Sequence, residues 1–333
     1  MNLPEPVLIV GGYGYGNVGD EAILAGLLRR LSGRRITVVS RSPEETARVH
    51  GVRAIGLHEA FPALRGHRSV LIGGGGLFGR DMGRIGRLLP AFGLFASALG
   101  RTLVVDGVGI DGDLPASVRI PVRALLRRSA SIVVRDAASA RVLDGWGIEA
   151  LVAPDRSHEM PAANPEAGLR LLRDAGVDVA RPVIGLCLTS VNPALEPTVS
   201  DAVDELIQAR PDVEFCFIPM SRHPSVASHD DRLLATRLRM RHPELRVLDS
   251  DVHPSAVLSA FGHLGAAVCM RFHSLLFAER MGVPFVAVPY APKVTSWLEE
   301  RGVPIVPVDG AAWWAALASA LAQEQPFAER IAS

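Results

Sequence analysis

The run Val7-Leu8-Ile9-Val10-Gly11-Gly12-Tyr13-Gly14-Tyr15-Gly16-Asn17-Val18-Gly19-Asp20-Glu21 decides the fold. Four apolar residues without alternation read as a strand under covering helices, and residues 20–31 read as the helix that follows. Between them the glycines allow positive φ and close backbone approach. The Gly14, Gly16, Gly19 spacing satisfies GxGxxG, a weak signal taken alone. A dinucleotide site would want an acid at the end of the second strand, where Ser40-Arg41 stands instead. Arg41 leaves an NADP enzyme open. Asp20 and Glu21 repel a pyrophosphate and suit sugar hydroxyls better, although helix N-termini favour acids for structural reasons alone.

The same rhythm continues outward. Strands are expected at 36–40, 69–72, 102–105 and 131–134, and helices at 83–99, 115–128 and 137–146. Pro154, Pro161 and Pro165 then interrupt a polar stretch, the best domain boundary. Beyond it strands are expected at 183–188, 214–218, 266–269 and 285–288, with helices at 199–209, 230–241 and 274–281. The reading is α/β, with two Rossmann-like domains facing a cleft: 1–155, 165–310 and a closing helix in 311–333.

At 333 residues and 48% hydrophobic content the chain can bury two cores. Its formal net charge of +0 argues against a nucleic-acid or anionic-membrane binder. Cys187, Cys216 and Cys269 lie in apolar runs without CxxC spacing, so buried thiols and a reducing cytoplasm are expected. The first residues, Met1-Asn2-Leu3-Pro4-Glu5-Pro6, lack the basic start of a signal peptide. The longest apolar window, 88–100, stops at Arg101, short of the ~20 residues of a spanning helix. Peripheral contact with a lipid-linked substrate, at the inner face of the membrane, is compatible with these residues but is not written in them.

A second glycine run, Gly73-Gly74-Gly75-Gly76-Leu77-Phe78, is expected to form another strand-to-helix turn. Four consecutive glycines cost roughly 0.5–1 kcal/mol each relative to alanine, so something must pack against the bare backbone. A ligand is the preferred occupant, with helix packing explaining at least two of the four. In the second half Arg271-Phe272-His273-Ser274 follows a strand and opens a helix, which makes an anion site with a titratable group in it. Lys293, in Tyr290-Ala291-Pro292-Lys293, is the sole lysine of the chain. Either a compact ammonium is needed there or a coding bias spared it. Arg135-Asp136 repeats the strand-end geometry, or is a plain ion pair. Arg222-His223-Pro224 and His229-Asp230-Asp231 read as capping and polarity rather than metal ligands, because the histidines lack i, i+4 spacing.

These pieces in this order resemble the polysaccharide pyruvyl transferase family. The matching segments are Gly14 through Ala22, Gly73 through Phe78, Val134-Arg135-Asp136 with Ser139, and Arg271-Phe272-His273-Ser274 with Tyr290-Ala291-Pro292-Lys293-Val294. The resemblance implies a glycosyltransferase-B-like pair of Rossmann domains. It also implies transfer of pyruvate from phosphoenolpyruvate to two sugar hydroxyls as a cyclic ketal, in a cell-wall or exopolysaccharide precursor. The acceptor would be a sugar or lipid-linked saccharide. His273 and Asp20 would be catalytic, and Arg271, Phe272, Ser274, Lys293 and Arg135 would bind phosphoenolpyruvate. Gly16, Asn17, Glu21, Gly74 and Gly75 would face the acceptor, with no metal or cofactor. Where many members carry a Gly-Asp-Pro turn this chain has Ala153-Pro154-Asp155-Arg156-Ser157, which weakens the acceptor inference most. A nucleotide-sugar glycosyltransferase and a non-catalytic sugar- or nucleotide-binding protein remain as alternatives.

Overall fold

The computed structural model describes residues 3–79, 84–249 and 251–323. Its chain divides into two compact units, Met1–Tyr15 with Asp20–Pro161, and Gly16–Gly19 with Ala162–Ser333. The division at Pro161/Ala162 lies between the expected domain limits of 155 and 165, and the middle of the first glycine turn groups with the second unit.

The first unit holds strands β1 (Val7–Val10), β2 (Ile36–Ser40), β3 (Arg53–Gly56), β4 (Ser69–Phe78), β5 (Thr102–Ile110), β6 (Ser131–Val134) and β7 (Leu151–Val152). All pair in parallel, in the order β3-β2-β1-β4-β5-β6-β7. Helices α1 (Val18–Arg30), α2 (Pro43–His50), α3 (Ala60–Ala63), α4 (Arg84–Ala98), α5 (Ala116–Arg127) and α6 (Ala137–Asp144) connect them. The order reverses at β1/β4, the point where open α/β sheets receive ligands at their carboxyl edge. Apolar residues of β1 bury to both sides: Leu8 and Val10 join one core, Val7 and Ile9 the other. That is why β1 reads as an unbroken apolar run.

The second unit contains β8 (Val183–Cys187), β9 (Glu214–Phe217), β10 (Arg246–Val247), β11 (Ala266–Cys269) and β12 (Phe285–Ala287), again parallel, in the order β10-β9-β8-β11-β12. Its helices are α7 (Pro165–Asp174), α8 (Glu196–Ala209), α9 (Asp231–Arg241), α10 (Pro254–Phe261), α11 (Phe272–Arg280), α12 (Pro292–Arg301) and α13 (Gly310–Gln323). The switch point here is β8/β11. Trp313 of α13 is fully buried in this unit's core, which ties the closing helix to the sheet. The rest of the expected closing segment, 324–333, lies outside the described residues. All three cysteines are buried free thiols, and burial pushes Cys216 up to about 12.

The second glycine run corrects the sequence reading. It is not a turn: β4 continues through it, pairing Gly73 with Asp106 and Gly75 with Val108 of β5. Helix α1 fills much of the space that side chains would occupy. A Cβ on Gly73 would meet Leu27 at 2.6 Å, one on Gly74 would meet Ile23 at 2.2 Å, and one on Gly75 would meet Asp20 Oδ1 at 2.8 Å. Packing by α1 therefore meets three of these glycines, and Gly74 and Gly75 also hold positive φ.

Gly74→Ala should destabilise the protein by about 2–5 kcal/mol, combining left-handed strain with overpacking. Gly33→Ala, at φ 79° with nothing within 4 Å, should cost only the strain, about 1–2 kcal/mol. Urea denaturation of the two variants side by side checks this; equal losses would mean that α1 does not need the bare strand.

Candidate functional site

Two sets of polar residues gather at carboxyl ends of strands, one in each unit. In the first unit, Tyr13 is fully buried and donates its hydroxyl to the Gly73 carbonyl at 2.7 Å. Burial, and then Asp20, Glu21, Asp106 and Asp155, push its pKa well above the ordinary phenol value. Four carboxylates thus surround Tyr13. Asp20 lies beside Gly12 and Gly75, whose missing side chains make room for its carboxylate.

Glu21 has a structural job. Its carboxylate accepts the Gly14 N–H at 2.8 Å and pairs with buried His50 Nε2 at 2.8 Å. Asn17 Oδ1 likewise accepts the Gly19 N–H at 3.0 Å. The chain's own oxygens take donors that a phosphate-binding turn would offer its ligand, which explains how a GxGxxG spacing can exist here beside two acids.

Arg135, at the end of β6, has a side chain only 8% exposed, with Nε 3.4 Å from Asp136 and Nη1 3.8 Å from Asp155. Gly109 admits it, since a Cβ there would lie 2.8 Å from the guanidinium. Asp136 caps α6 by accepting the Ser139 N–H. Asp155 accepts the Ser157 N–H and starts a 3-10 turn, so the aspartate of the altered Ala153-Pro154-Asp155 segment has a defined place. Next to it Arg156 is buried against Asp106, donating Nε–H at 2.7 Å, and against Glu159 at 2.6 Å. The sequence reading assigned no part to Asp106, His50 or Tyr13.

In the second unit the expected cationic cluster is organised by an acid that the sequence reading treated as a helix cap. Asp231, the first residue of α9, is fully buried and takes two N–H groups of Arg271, Nη2 at 2.6 Å and Nε at 3.1 Å. Its Oδ2 also accepts the backbone N–H of Met220 at 3.2 Å and of Ser221 at 2.9 Å, and Thr189 adds its hydroxyl. Burial pushes the Asp231 carboxyl up against these partners. Burial also works against charge on Arg271, but Asp231 and then Tyr290 outweigh it and hold the guanidinium above its ordinary value.

The Met220–Arg222 backbone then receives Gly16–Gly19, which belong to this unit. The Val18 N–H donates to the Met220 carbonyl and the Arg222 N–H to the Gly16 carbonyl, both at 2.9 Å, while Asn17 bridges to Ser221. The circuit closes at His273. Arg271 is the N-cap residue of α11 and supplies no side-chain cap; two residues on, the His273 ring lies so close to Gly19 that a Cβ there would stand 2.0 Å from Nδ1. Phe272 meets His273 edge-on at 5.6 Å and Trp297 at 6.3 Å. Ser274 is buried, and its hydroxyl donates to the Arg271 carbonyl, tightening the first turn of α11. Lys293 is the second residue of α12, a helix the sequence reading did not predict, and its side chain lies outside the described residues.

Arg222 pairs with Asp251, and the rings of His223 and His229 meet edge-on at 5.9 Å. Asp230 caps α9 and pairs with Arg232 at 2.8 Å. Among the described residues no group of three or more His, Cys, Asp and Glu side chains could hold a metal ion.

Asp231→Ala, which strands a buried guanidinium, should cost about 3–5 kcal/mol in denaturant unfolding. Asp231→Asn retains an acceptor for the loop N–H groups and should cost less. The double variant Asp231→Leu/Arg271→Met, which replaces both charges with apolar side chains, should recover part of the loss and give a clear coupling term in the double-mutant cycle; additive losses would dissolve the hub.

No curated protein sequence matches the chain. Among solved structures it is similar to HepE of Anabaena in complex with UDP and glucose, with TM-score 0.56 and 12% identity over 97% of this chain and 96% of that one. It is also similar to UDP-GlcNAc 2-epimerase of Neisseria meningitidis bound to UDP-GlcNAc, with TM-score 0.65 and 12% identity over 98% and 94%. ADP-heptose LPS heptosyltransferase II of E. coli gives TM-score 0.54 and 15% identity over 96% and 99%. At these identities the likeness establishes the fold, two parallel α/β domains of the glycosyltransferase-B-like kind. The sequence model of polysaccharide pyruvyl transferase matches residues 17–292, which takes in Asn17, Asp20, Arg135, Asp231, Arg271 and His273, and the chain therefore belongs to the polysaccharide pyruvyl transferase family.

Proposed function

We propose that the protein transfers pyruvate from phosphoenolpyruvate onto two hydroxyls of a sugar in a cell-wall or exopolysaccharide precursor, forming a cyclic ketal. Family membership supports a transferase acting in polysaccharide synthesis. The observation that carries the finer reading is the arrangement at the start of α11: an imidazole seated on the bare Gly19 backbone, beside a guanidinium fixed by Asp231. The positive end of α11 and Arg271 favour a ligand bearing both carboxylate and phosphate.

In the reaction, one acceptor oxygen bonds to C2 of phosphoenolpyruvate while C3 gains a proton and becomes a methyl group. The C2–O bond to phosphate then breaks, phosphate leaves with the bonding pair, and the second hydroxyl attacks C2 and gives up its proton. His273 donates the proton to C3, a general-acid contribution of ~10²- to 10⁴-fold. Arg271 steadies the charge on the departing phosphate, with Lys293 as a second cation. Arg135 is the candidate partner for a substrate carboxylate. Asp20 orients or deprotonates the acceptor hydroxyl, helped by Asn17. Glu21, Ser274, Gly74 and Gly75 carry structural contacts of their own beside any part in binding. The scheme calls for no metal or organic cofactor.

A nucleotide-sugar glycosyltransferase is the second reading, favoured by the fold shared with sugar-nucleotide proteins. Its donor diphosphate would sit at the start of α11, the same anion site, so product mass separates the two readings.

Purified protein incubated with phosphoenolpyruvate and a nucleotide- or lipid-linked sugar should release phosphate and add a carboxyl-bearing three-carbon unit, read by product mass. An added hexose would identify a glycosyltransferase instead, and binding without consumption of phosphoenolpyruvate a silent binder. His273→Ala should lower turnover by ~10²- to 10⁴-fold; wild-type turnover would remove the imidazole from the chemistry. Lys293→Arg should raise the KM for phosphoenolpyruvate, since a planar fork does not replace a compact ammonium; an unchanged KM makes the lone lysine a coding accident.

A further inference from the structure

The outward face of α4 is apolar. Its exposed positions are Arg87, Leu88, Ala91, Phe95 and Ala98, continued by Leu99, and Leu88 is 65% exposed. A surface helix ordinarily turns polar residues outward. Phe61, half exposed, extends the patch by packing on Phe92 and Phe95 with ring centroids 5.1 and 5.6 Å apart. Helix α5 lies alongside, with Leu125 filling the space above Gly93 of α4. Both helices bury their inner faces in one core, so their outer faces look the same way. The α5 outer face adds Ile120, 67% exposed, between Arg119 and Arg127.

The two helices are also basic. The stretches 84–98 and 116–127 contain arginines and not one acid, in a chain whose charges balance as a whole. Among the described residues Arg65, Arg68, Arg87, Arg119, Arg127 and Arg128 are exposed and none is in an ion pair. The acids nearest in sequence, Asp81, Asp106, Asp111, Asp113 and Asp136, lie outside both stretches.

We propose that the α4–α5 face docks on the surface of an anionic phospholipid bilayer, with Leu88, Phe95, Leu99 and Ile120 entering the headgroup boundary and the arginines meeting lipid phosphates. Apolar side chains flanked by cations are what an interfacial helix needs, each arginine adding attraction near an anionic surface. A second copy of the chain fits less well, because a symmetric contact would set the same unpaired arginines against each other. No helix among the described residues is long and apolar enough to span a membrane, so contact would be peripheral. This inference stands independently of the reaction proposed above.

The full chain is sedimented with vesicles of phosphatidylcholine alone and of phosphatidylcholine with phosphatidylglycerol, at low and high salt. It should partition only onto the vesicles containing phosphatidylglycerol, and less at high salt. Arg119→Ala/Arg127→Ala should weaken partitioning by roughly fivefold per charge, and Leu88→Ser should weaken it further, with circular dichroism confirming that both exposed-site variants fold. Absence of binding to either vesicle overturns the proposal, as does equal binding to both. A concentration-dependent dimer in analytical ultracentrifugation that Leu88→Ser dissociates assigns the face to a second copy and also overturns it.

Discussion

The buried carboxylate of Asp231 is the constraint on which the second unit's polar architecture depends. An ionised group with a fully buried side chain carries a desolvation cost of several kcal/mol, tolerable only with good geometry and saturated oxygens. Asp231 has both: Arg271 in two-point contact, two backbone N–H groups from the preceding loop, the Thr189 hydroxyl, and the positive end of its own helix. Removing any one partner leaves the others still needing the charge. The carboxylate therefore fixes three things at once: the path of the Met220–Arg222 loop, the direction of Arg271, and through that loop the seat of Gly16–Gly19.

The consequence reaches the imidazole. His273 is placed from one side by α11, whose cap residue is Arg271, and from the other by the backbone of Gly19. Both supports trace back to Asp231. A glycine at 19 is then a steric requirement rather than a conformational one, since its φ is not positive while a side chain would collide with the ring. The third glycine of the fingerprint serves close packing, as it does in a dinucleotide fold, but the partner here is a histidine.

Much of this architecture was legible in the sequence because unbroken Val, Ile and Leu runs mark strands covered on both faces, and β1, β2, β6, β9 and β11 fall where those runs predict. The strands that escaped, β3, β7 and β10, are short and partly exposed, with Arg53, Leu151 and Arg246 at the surface, so no apolar signal marks them. The glycine run misled for a different reason. Glycine removes the side chain but keeps the ladder hydrogen bonds, so 73–76 could remain a strand once α1 supplied Ile23 and Leu27 as substitutes. Asp231 was visible as a polar residue at a helix start, yet its partner lies 40 positions away, a pairing that only the β8/β11 switch point creates.

Net charge hid as much as it revealed. A formal balance of +0 argued against an anionic surface as partner, but balance is a sum and recognition depends on distribution. In the second unit arginines such as Arg181, Arg232 and Arg241 each face a carboxylate within 3 Å. Their charge is answered locally. On α4 and α5 no acid is present to answer the arginines, and the apolar side chains among them are turned outward. A neutral chain can therefore present one cationic, apolar face, because the compensating acids are committed elsewhere. Such a face also needs a covered inner side, which Gly93 and Leu125 provide by letting α4 and α5 pack closely over one core.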